Sequence, residues 1–253
     1  MKPVVFIGAG PGAADLITVR GAQHLAAADV VLFDALTDPA LREFAPKAHW
    51  IDVGKRGFCD STRQVAINAL LVRHTKSGSA VVRLKGGDPS VFGRLEEELQ
   101  ALAQAGIEAE VVPGVTAAVA AAAALQRPLT RRGSGRSVSL TTAMTRSGRL
   151  QVERTADTEV FYMAGRQLAA LGRSLVLAGW PLDTPVLVVS RAGWPDQCAS
   201  EHRVATLAEA AMLHAGRPAV VTVGIGATAV APALPKQPAG ASAHLRQKAR
   251  LQP

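Results

Sequence analysis

The chain has 253 residues, 48% hydrophobic and 19% charged, so it can bury a large core and is not disordered as a whole. It has no apolar run of the roughly 18 to 20 residues that a membrane helix needs, only two distant cysteines and no metal-binding histidine spacing. We therefore expect no membrane, disulfide scaffold or metal, and a reducing, cytoplasmic setting. The formal net charge of +8 suits nucleic acid, an anionic membrane surface or an acidic small molecule as a partner, but few aromatic residues argue against a single-strand stacking surface.

Short apolar runs alternate with helical patterns along the first 113 residues. The runs predict buried parallel strands at residues 3–8, 30–33, 80–84 and 108–112. Apolar residues at helical spacing predict helices at residues 15–28, 62–76 and 92–105. Strands that alternate with helices indicate an α/β fold.

The same alternation continues in the second half of the chain. It predicts helices at residues 116–125, 168–178 and 206–215, and strands at residues 137–142, 159–163, 185–190 and 218–223. We place a domain boundary at Pro113-Gly114, which gives an N-terminal α/β domain over residues 1–113 and a C-terminal α/β domain over residues 114–232. Residues 233–253, rich in Pro, Ala, Lys and Gln, are predicted to form a disordered basic tail.

Two glycine-rich segments follow predicted strands. Gly-Ala-Gly-Pro-Gly at residues 8–12 allows a ligand to approach the backbone, but a tight turn needs the same residues and the spacing is not that of a dinucleotide-binding motif. Gly86, Gly87 and Asp88 follow another strand, at the sheet edge where open α/β proteins bind ligands. There we favour a ligand-binding loop over a β-turn in which Asp88 caps the next helix.

Several charged residues are candidates either for chemistry or for ordinary surface roles. Asp34 ends a strand and Lys55 follows another short apolar segment, so they could act as base and acid at one sheet edge. Arg94, Glu97 and Glu98 lie three and four residues apart on one predicted helix, a spacing that usually means an exposed ion pair. The alternative hypothesis is functional: Arg94 binds a carboxylate while Glu97 transfers a proton.

Four arginines cluster around the Pro-Leu-Thr segment at residues 128–130. Such a run usually forms a solvated loop. Because a guanidinium group pairs with a carboxylate through two hydrogen bonds, the run could instead bind a polycarboxylate or RNA phosphates. The four are Arg127, Arg131, Arg132 and Arg136.

Seven short motifs occur in one order along the chain. They are Gly-Ala-Gly-Pro-Gly at 8–12, Phe-Asp-Ala-Leu at 33–36, Val-Gly-Lys-Arg-Gly at 53–57, Arg-Leu-Lys-Gly-Gly-Asp-Pro at 83–89, Val-Phe-Gly-Arg at 91–94, Val-Pro-Gly-Val-Thr-Ala at 112–117 and Pro-Leu-Thr at 128–130. Together they resemble the uroporphyrinogen-III C-methyltransferases of the tetrapyrrole methylase superfamily. The resemblance covers residues 3–232, and the motifs at 53–57 and 83–89 point to this branch over later precorrin methylases.

The resemblance implies a fold and an activity. The fold would be two α/β domains with the active site in the cleft between them, in a homodimer. The activity would be the transfer of methyl groups from S-adenosylmethionine to C2 and C7 of uroporphyrinogen III, by way of precorrin-1, which gives precorrin-2 and S-adenosylhomocysteine. Precorrin-2 serves sirohaem and cobalamin biosynthesis, and neither nucleic acid nor a membrane is expected as a partner.

The resemblance also implies two sets of site residues. The residues that match donor-binding positions are Pro11, Gly86, Gly87, Asp88, Val91, Thr116, Ala117, Met163 and Ala192, with Gly193 replacing the last if the register shifts by one residue. The residues that match catalytic positions are Asp34, Lys55, Arg94, Glu97 and Arg132. Asp34 and Lys55 match a proton acceptor and a proton donor. Glu97 with Arg94 is our first candidate pair for removing the ring proton and orienting the tetrapyrrole.

The chain departs from the family pattern at a few positions near these motifs. The departing residues are Ala13, Ala14, Leu95, Glu96, Arg131 and Met144. They leave open the shape of the donor loop and the preferred tetrapyrrole. The competing hypotheses are a later precorrin methyltransferase, an RNA methyltransferase, and a methylase fold that carries a tetrapyrrole without methylating it.

Overall fold

A computed structural model describes residues 2–54, 61–143, 150 and 152–230. The strands are β1 (Val4–Gly8), β2 (Val30–Phe33), β3 (His49–Asp52), β4 (Val81–Lys85), β5 (Ala109–Val112), β6 (Val138–Thr142), β7 (Thr158–Tyr162), β8 (Pro185–Ser190), β9 (Cys198–Arg203) and β10 (Ala219–Gly224). The α-helices are α1 (Val19–Ala26), α2 (Ser61–Lys76), α3 (Leu95–Gln104), α4 (Ala117–Ala124), α5 (Leu168–Leu177) and α6 (Ala210–Leu213). The strands form two five-stranded sheets, so the predicted α/β fold class is confirmed.

The first sheet is parallel throughout, with the strand order β3-β2-β4-β1-β5. All five residues of β1 and of β4 are buried, as strands in the middle of a parallel sheet should be, and those of β4 include Arg83 and Lys85. The chain leaves β1 toward β2 on one side and leaves β4 toward β5 on the other. The loops that follow these two neighbouring strands therefore lie side by side at the carboxyl edge of the sheet, where open α/β sheets bind ligands.

The second sheet is mixed, with the order β6-β7-β10-β8-β9 and a parallel pairing only between β6 and β7. Helix α5 packs on one of its faces through Leu168, Leu171 and Leu175, which share a buried cluster with Phe161. The segment between the last strand of the first sheet and the first strand of the second contains α4. The domain boundary at Pro113-Gly114 lies in this segment and stays a prediction, and residues 233–253 lie outside the described part of the chain.

Several predicted elements differ from the structure. The helix predicted from residue 92 begins only at Leu95, because Phe92 and Arg94 have left-handed backbone angles, with φ of 53° and 54°. The helix predicted over 15–28 is divided into a 3-10 turn (Ala14–Leu16) and α1. Strands β3 and β9 were not predicted. Both are edge strands with half of their residues in contact with solvent, so they lack an apolar run.

Within the described ranges, none of the helices combines the length and the apolar character needed to cross a membrane. In the same part of the chain, His, Cys, Asp and Glu side chains do not gather in groups of three that could hold a metal ion.

Candidate active site

Three loops of the first sheet meet so closely at glycines that Gly8 and Gly114 have no room for a side chain. A Cβ atom on Gly8 would lie 2.5 Å from Cα of Gly114 and 2.8 Å from the carbonyl oxygen of Gly87. Gly10 and Gly87 also exchange backbone hydrogen bonds of 3.2 and 2.7 Å. The loops after β1, β4 and β5 thus form one main-chain platform at the carboxyl edge of the sheet.

Asp88 fastens two of these loops together. Its Oδ2 accepts a 2.9 Å hydrogen bond from the backbone N–H of Gly114, and its Oδ1 accepts one of 2.8 Å from Ser90. Asp88 therefore holds its own turn and the loop after β5, and it does not cap α3. Its carboxylate is half-buried beside the platform.

The second sheet reaches the platform through Tyr162 at the end of β7. The phenol oxygen lies 2.7 Å from Thr116 Oγ1 and accepts a 3.2 Å hydrogen bond from the backbone N–H of Ala118. Its ring stacks at a tilt on Phe92, with 5.1 Å between the centroids. Burial raises the pKa of Tyr162 above its ordinary value, and the hydrogen bonds oppose this shift. Tyr162 therefore acts here as a neutral hydrogen-bonding group that joins the two sheets.

The structure brings all nine residues that match donor-binding positions to this junction. Gly86, Gly87, Asp88, Thr116 and Pro11 lie on the three loops of the platform. Val91 and Ala117 pack against the apolar cluster that contains Tyr162. Met163 follows Tyr162 directly and has a left-handed φ of 57°. Ala192 is buried beside α4. The proposed donor positions thus come from both sheets.

A buried network of charges lies beneath the platform. Arg83 donates from Nη2 to Asp34 Oδ1 at 2.5 Å and from Nε to Glu98 Oε1 at 3.0 Å. Lys85 Nζ lies 2.6 Å from the other oxygen of Glu98. Arg83, Lys85 and Glu98 are nearly inaccessible to solvent, whereas the side chain of Asp34 is 32% exposed. Asp34 is thus the member of this network that solvent can reach.

The network contains two carboxylates and two cations, so it is formally neutral. Burial and the nearby Arg83 lower the pKa of Lys85, while Glu98 opposes that shift. Burial also disfavours the charged form of Arg83, but the carboxylates of Asp34 and Glu98 outweigh it and raise the pKa of Arg83. Asp34 and Glu98 therefore both stabilise the charged forms of these two buried cations.

Arg94 and Glu97 form an exposed ion pair at the start of α3. Arg94 donates to both carboxylate oxygens of Glu97 at 2.7 Å, and more than two-fifths of each side chain is exposed. Glu97 and Glu98 are adjacent in sequence but differ in environment, because only Glu98 points under the platform. The predicted pairing of Arg94 with Glu97 is present, and the predicted catalytic roles of the two residues stay predictions.

The arginine cluster divides into two kinds of residue. Arg127 donates to the carbonyl of Ala227 and pairs with Glu201, and Arg131 donates to the carbonyl of Thr228. These two arginines thus bind the backbone of the segment that follows β10. The sequence did not indicate these contacts. Arg132 and Arg136 are exposed. Lys55 and Met144 lie outside the described residues, so the predicted acid role of Lys55 stays a prediction.

Sequence reasoning missed three residues that build the site. The spacing along α3 predicts Glu98 only as part of a surface ion pair, whereas its burial depends on partners from two other elements, α2 and β4. Tyr162 is the only tyrosine in the chain and ends an apolar strand, which was a usable signal. Trp194 donates from its indole nitrogen to the carbonyl of Pro11 at 3.1 Å, across 183 residues, and nothing local indicates this contact.

The tetrapyrrole (corrin/porphyrin) methylases match residues 3–211 of the chain. The uroporphyrinogen-III C-methyltransferase of Pseudomonas aeruginosa is 43% identical over 193 residues, which cover 75% of this chain and 79% of that protein. The chain belongs to the tetrapyrrole methylase family. The family predicted from the ordered motifs is therefore confirmed, and the Pseudomonas aeruginosa relative is a methyltransferase, as predicted.

Longer relatives and solved structures agree with this membership. Siroheme synthase 2 of Yersinia pestis is 42% identical over 229 residues, and the chain spans about half of its length, 48%. Among structures, uroporphyrin-III C-methyltransferase from Thermus thermophilus, complexed with S-adenosylhomocysteine, has a TM-score of 0.77 and 34% identity over 89% of this chain and 98% of that one. A cobalt precorrin-4 methyltransferase has a TM-score of 0.79 and 31% identity over 90% and 96%.

Two of the three consecutive glutamates of α3, Glu97 and Glu98, provide a matched test of the buried network. We expect Glu98→Gln to lower the free energy of unfolding by about 3 to 5 kcal/mol at pH 7, because it leaves two buried cations with only Asp34 as a counter-charge. Glu97→Gln, at an exposed pair, should change it by about 1 kcal/mol or less. Urea unfolding followed by circular dichroism measures both.

The pH dependence gives this test a second readout. Without Glu98, the folded protein favours neutral Lys85, and an amine whose pKa is lowered by folding makes stability fall as pH falls. The deficit of Glu98→Gln should therefore be smaller at pH 9 than at pH 7. Equal stability of the two variants at pH 7 would contradict the network.

Proposed function

We propose that the protein transfers methyl groups from S-adenosylmethionine to C2 and then C7 of uroporphyrinogen III, which gives precorrin-2 and S-adenosylhomocysteine. The observation that carries the proposal is the meeting of all nine donor-matching residues at one junction between the two sheets. The 43% identity to the Pseudomonas aeruginosa enzyme and the likeness to a structure that holds S-adenosylhomocysteine support it.

The junction suits a donor that has both polar and apolar parts. When bound, S-adenosylmethionine supplies an electrophilic methyl group on a sulfonium centre. Gly86 and Gly87 have no side chains to cover their backbone. The space beside Gly87 is open, because a Cβ atom there would meet only Cα of Thr116, at 3.9 Å. The N–H and C=O of Gly87 are bonded to Gly10, so the backbone of Gly86 is the candidate for binding the polar parts of the donor, while Ala117 and Ala192 provide small apolar contacts.

The exposed cations suit a substrate with eight carboxylates. A guanidinium group binds a carboxylate through two parallel hydrogen bonds, as Arg94 binds Glu97 here. A substrate carboxylate can compete for Arg94, which orients the tetrapyrrole and leaves Glu97 beside the ring. Arg132, exposed after the Pro-Leu-Thr segment, is the second candidate for binding a substrate carboxylate.

Methylation of a ring carbon leaves a cationic ring that must lose a proton to a base. Two carboxylates are placed for this task. Glu97 is our first candidate, because its carboxylate is exposed beside the arginine that would hold the substrate. Asp34 is the second, because Arg83 fixes its carboxylate while 32% of the side chain remains exposed.

Three further features of the proposal follow from the resemblance. We propose that the protein works as a homodimer in the cytoplasm, without nucleic acid. We also propose that residues 1–113 and 114–232 are its two domains. The siroheme synthases among its relatives agree with a place for its product in sirohaem or cobalamin biosynthesis.

The activity can be tested by mass spectrometry of the tetrapyrrole after anaerobic incubation with S-adenosylmethionine and uroporphyrinogen III. We expect the tetrapyrrole to gain two methyl groups. Donor binding with no gain in mass would contradict the proposed substrate. A later precorrin would then be tested next, because the cobalt precorrin-4 methyltransferase is structurally as similar as the Thermus thermophilus enzyme.

Replacement of Glu97 tests the proposed base. We expect Glu97→Gln to bind the donor normally and to lose about a hundredfold or more in turnover, since general-base catalysis contributes about that much. Glu96→Gln is the matched control, because Glu96 lies on the same helix, is exposed, and accepts a 3.2 Å hydrogen bond from Gln100. Wild-type turnover in Glu97→Gln, with loss of turnover in Asp34→Asn, would transfer the role to Asp34.

A further inference from the structure

A loop of the second sheet reaches across the junction and contacts the first glycine loop. This loop, residues 191–197, follows β8 and will be called the crossing loop. Its Trp194 donates from the indole Nε1 to the carbonyl oxygen of Pro11 at 3.1 Å. The crossing loop also contains Ala192, so Trp194 connects a donor-matching residue of one sheet to a donor-matching residue of the other.

The indole ring of Trp194 packs directly against Gly12. A Cβ atom on Gly12 would lie 2.5 Å from Nε1 of Trp194 and 3.0 Å from the carbonyl oxygen of Ala192. The ring therefore occupies the space that any other residue at position 12 would fill. Gly12 is buried, and its backbone angle is not left-handed, so its glycine is explained by contact with Trp194 and not by φ.

The crossing loop is held firmly on its own side. The guanidinium carbon of Arg191 lies 4.2 Å from the centre of the Trp194 ring, and Arg191 Nε donates to Asp196 Oδ1 at 2.6 Å. Asp196 also pairs with Arg217, and Gln197 Oε1 accepts a 3.0 Å hydrogen bond from the backbone N–H of Gly193. Because these contacts hold the crossing loop in place, the Trp194 side chain has a fixed position against Pro11.

We propose that Trp194 is a positioning residue that sets the distance between the two halves of the donor site, at Pro11 and at Ala192. This inference rests on the proposed function, because it assumes that a donor is bound between them. A ligand that is contacted from both sheets binds tightly only if the two sets of groups are held at the correct separation. Within the described part of the chain, the indole of Trp194 contacts Pro11, Gly12 and Arg191, and we assign none of these to catalysis or to tetrapyrrole binding.

The test compares two Trp→Phe variants by calorimetric titration with S-adenosylhomocysteine. Trp194→Phe keeps an aromatic ring but removes the N–H that reaches Pro11, and we expect about threefold to tenfold weaker binding. Trp50→Phe is the matched control. Trp50 also donates its indole N–H to a backbone carbonyl, that of Ala45 at 3.0 Å, but within the first half of the chain. Its affinity for S-adenosylhomocysteine should equal that of wild type.

The remaining outcomes separate this inference from the proposed function. Wild-type affinity in Trp194→Phe would overturn the inference and leave the proposed function standing, whereas failure of the wild-type protein to bind S-adenosylhomocysteine would overturn both. In turnover, the KM for the donor should rise and the KM for the tetrapyrrole should stay constant. A merely structural role would not separate these two constants. If Trp194→Phe does not fold, Gly12→Ala makes the same test, because its Cβ displaces the indole.

Discussion

The close approach of Gly8, Gly87 and Gly114 is the constraint on which the rest of the site depends. The carboxyl ends of β1, β4 and β5 lie side by side, so the loops that follow them can touch only where no side chain intervenes. Asp88 fastens this contact by accepting a hydrogen bond from Gly114. The result is a platform of backbone atoms from which side chains are excluded, and this is the surface to which we assign the donor.

The second sheet contributes to the platform through two aromatic residues with different tasks. Tyr162 binds Thr116 at one end of the junction, while Trp194 binds Pro11 at the other. Both use a polar group on an otherwise apolar ring to reach a backbone or hydroxyl group of the first half of the chain. Two separate contacts of this kind fix a relative orientation better than one, which suits a site built from both sheets.

The charges beneath the platform explain why the start of α3 carries adjacent glutamates. Glu98 pairs with Arg83 and Lys85 in the interior. Because neighbouring residues of a helix point in different directions, Glu97 then faces solvent, where it pairs with Arg94. Because Arg83 also holds Asp34, one buried glutamate supports both candidate bases. If the helix began at residue 92, as predicted, Arg94 would lie within it and would have a helical backbone conformation. The left-handed Phe92 and Arg94 set the observed start.

The sequence was informative wherever a local pattern decides the structure. Buried apolar runs located β2 and β8 to the residue, and glycines after strands marked the platform. It was uninformative where the cause is distant. Edge strand β9 is half exposed and has no apolar run, and the burial of Glu98 and the contact of Trp194 depend on partners far along the chain. Ordered motifs, and not any single residue, identified the family.

A crystal structure of the protein with S-adenosylhomocysteine is the most direct test of the central claim, that the three glycine loops and the crossing loop form one donor site. The account predicts ligand density against Gly86 and Gly87 on one side and Ala192 on the other, with Trp194 still bound to Pro11. Ligand bound away from this junction, in a protein that is otherwise active, would contradict the account.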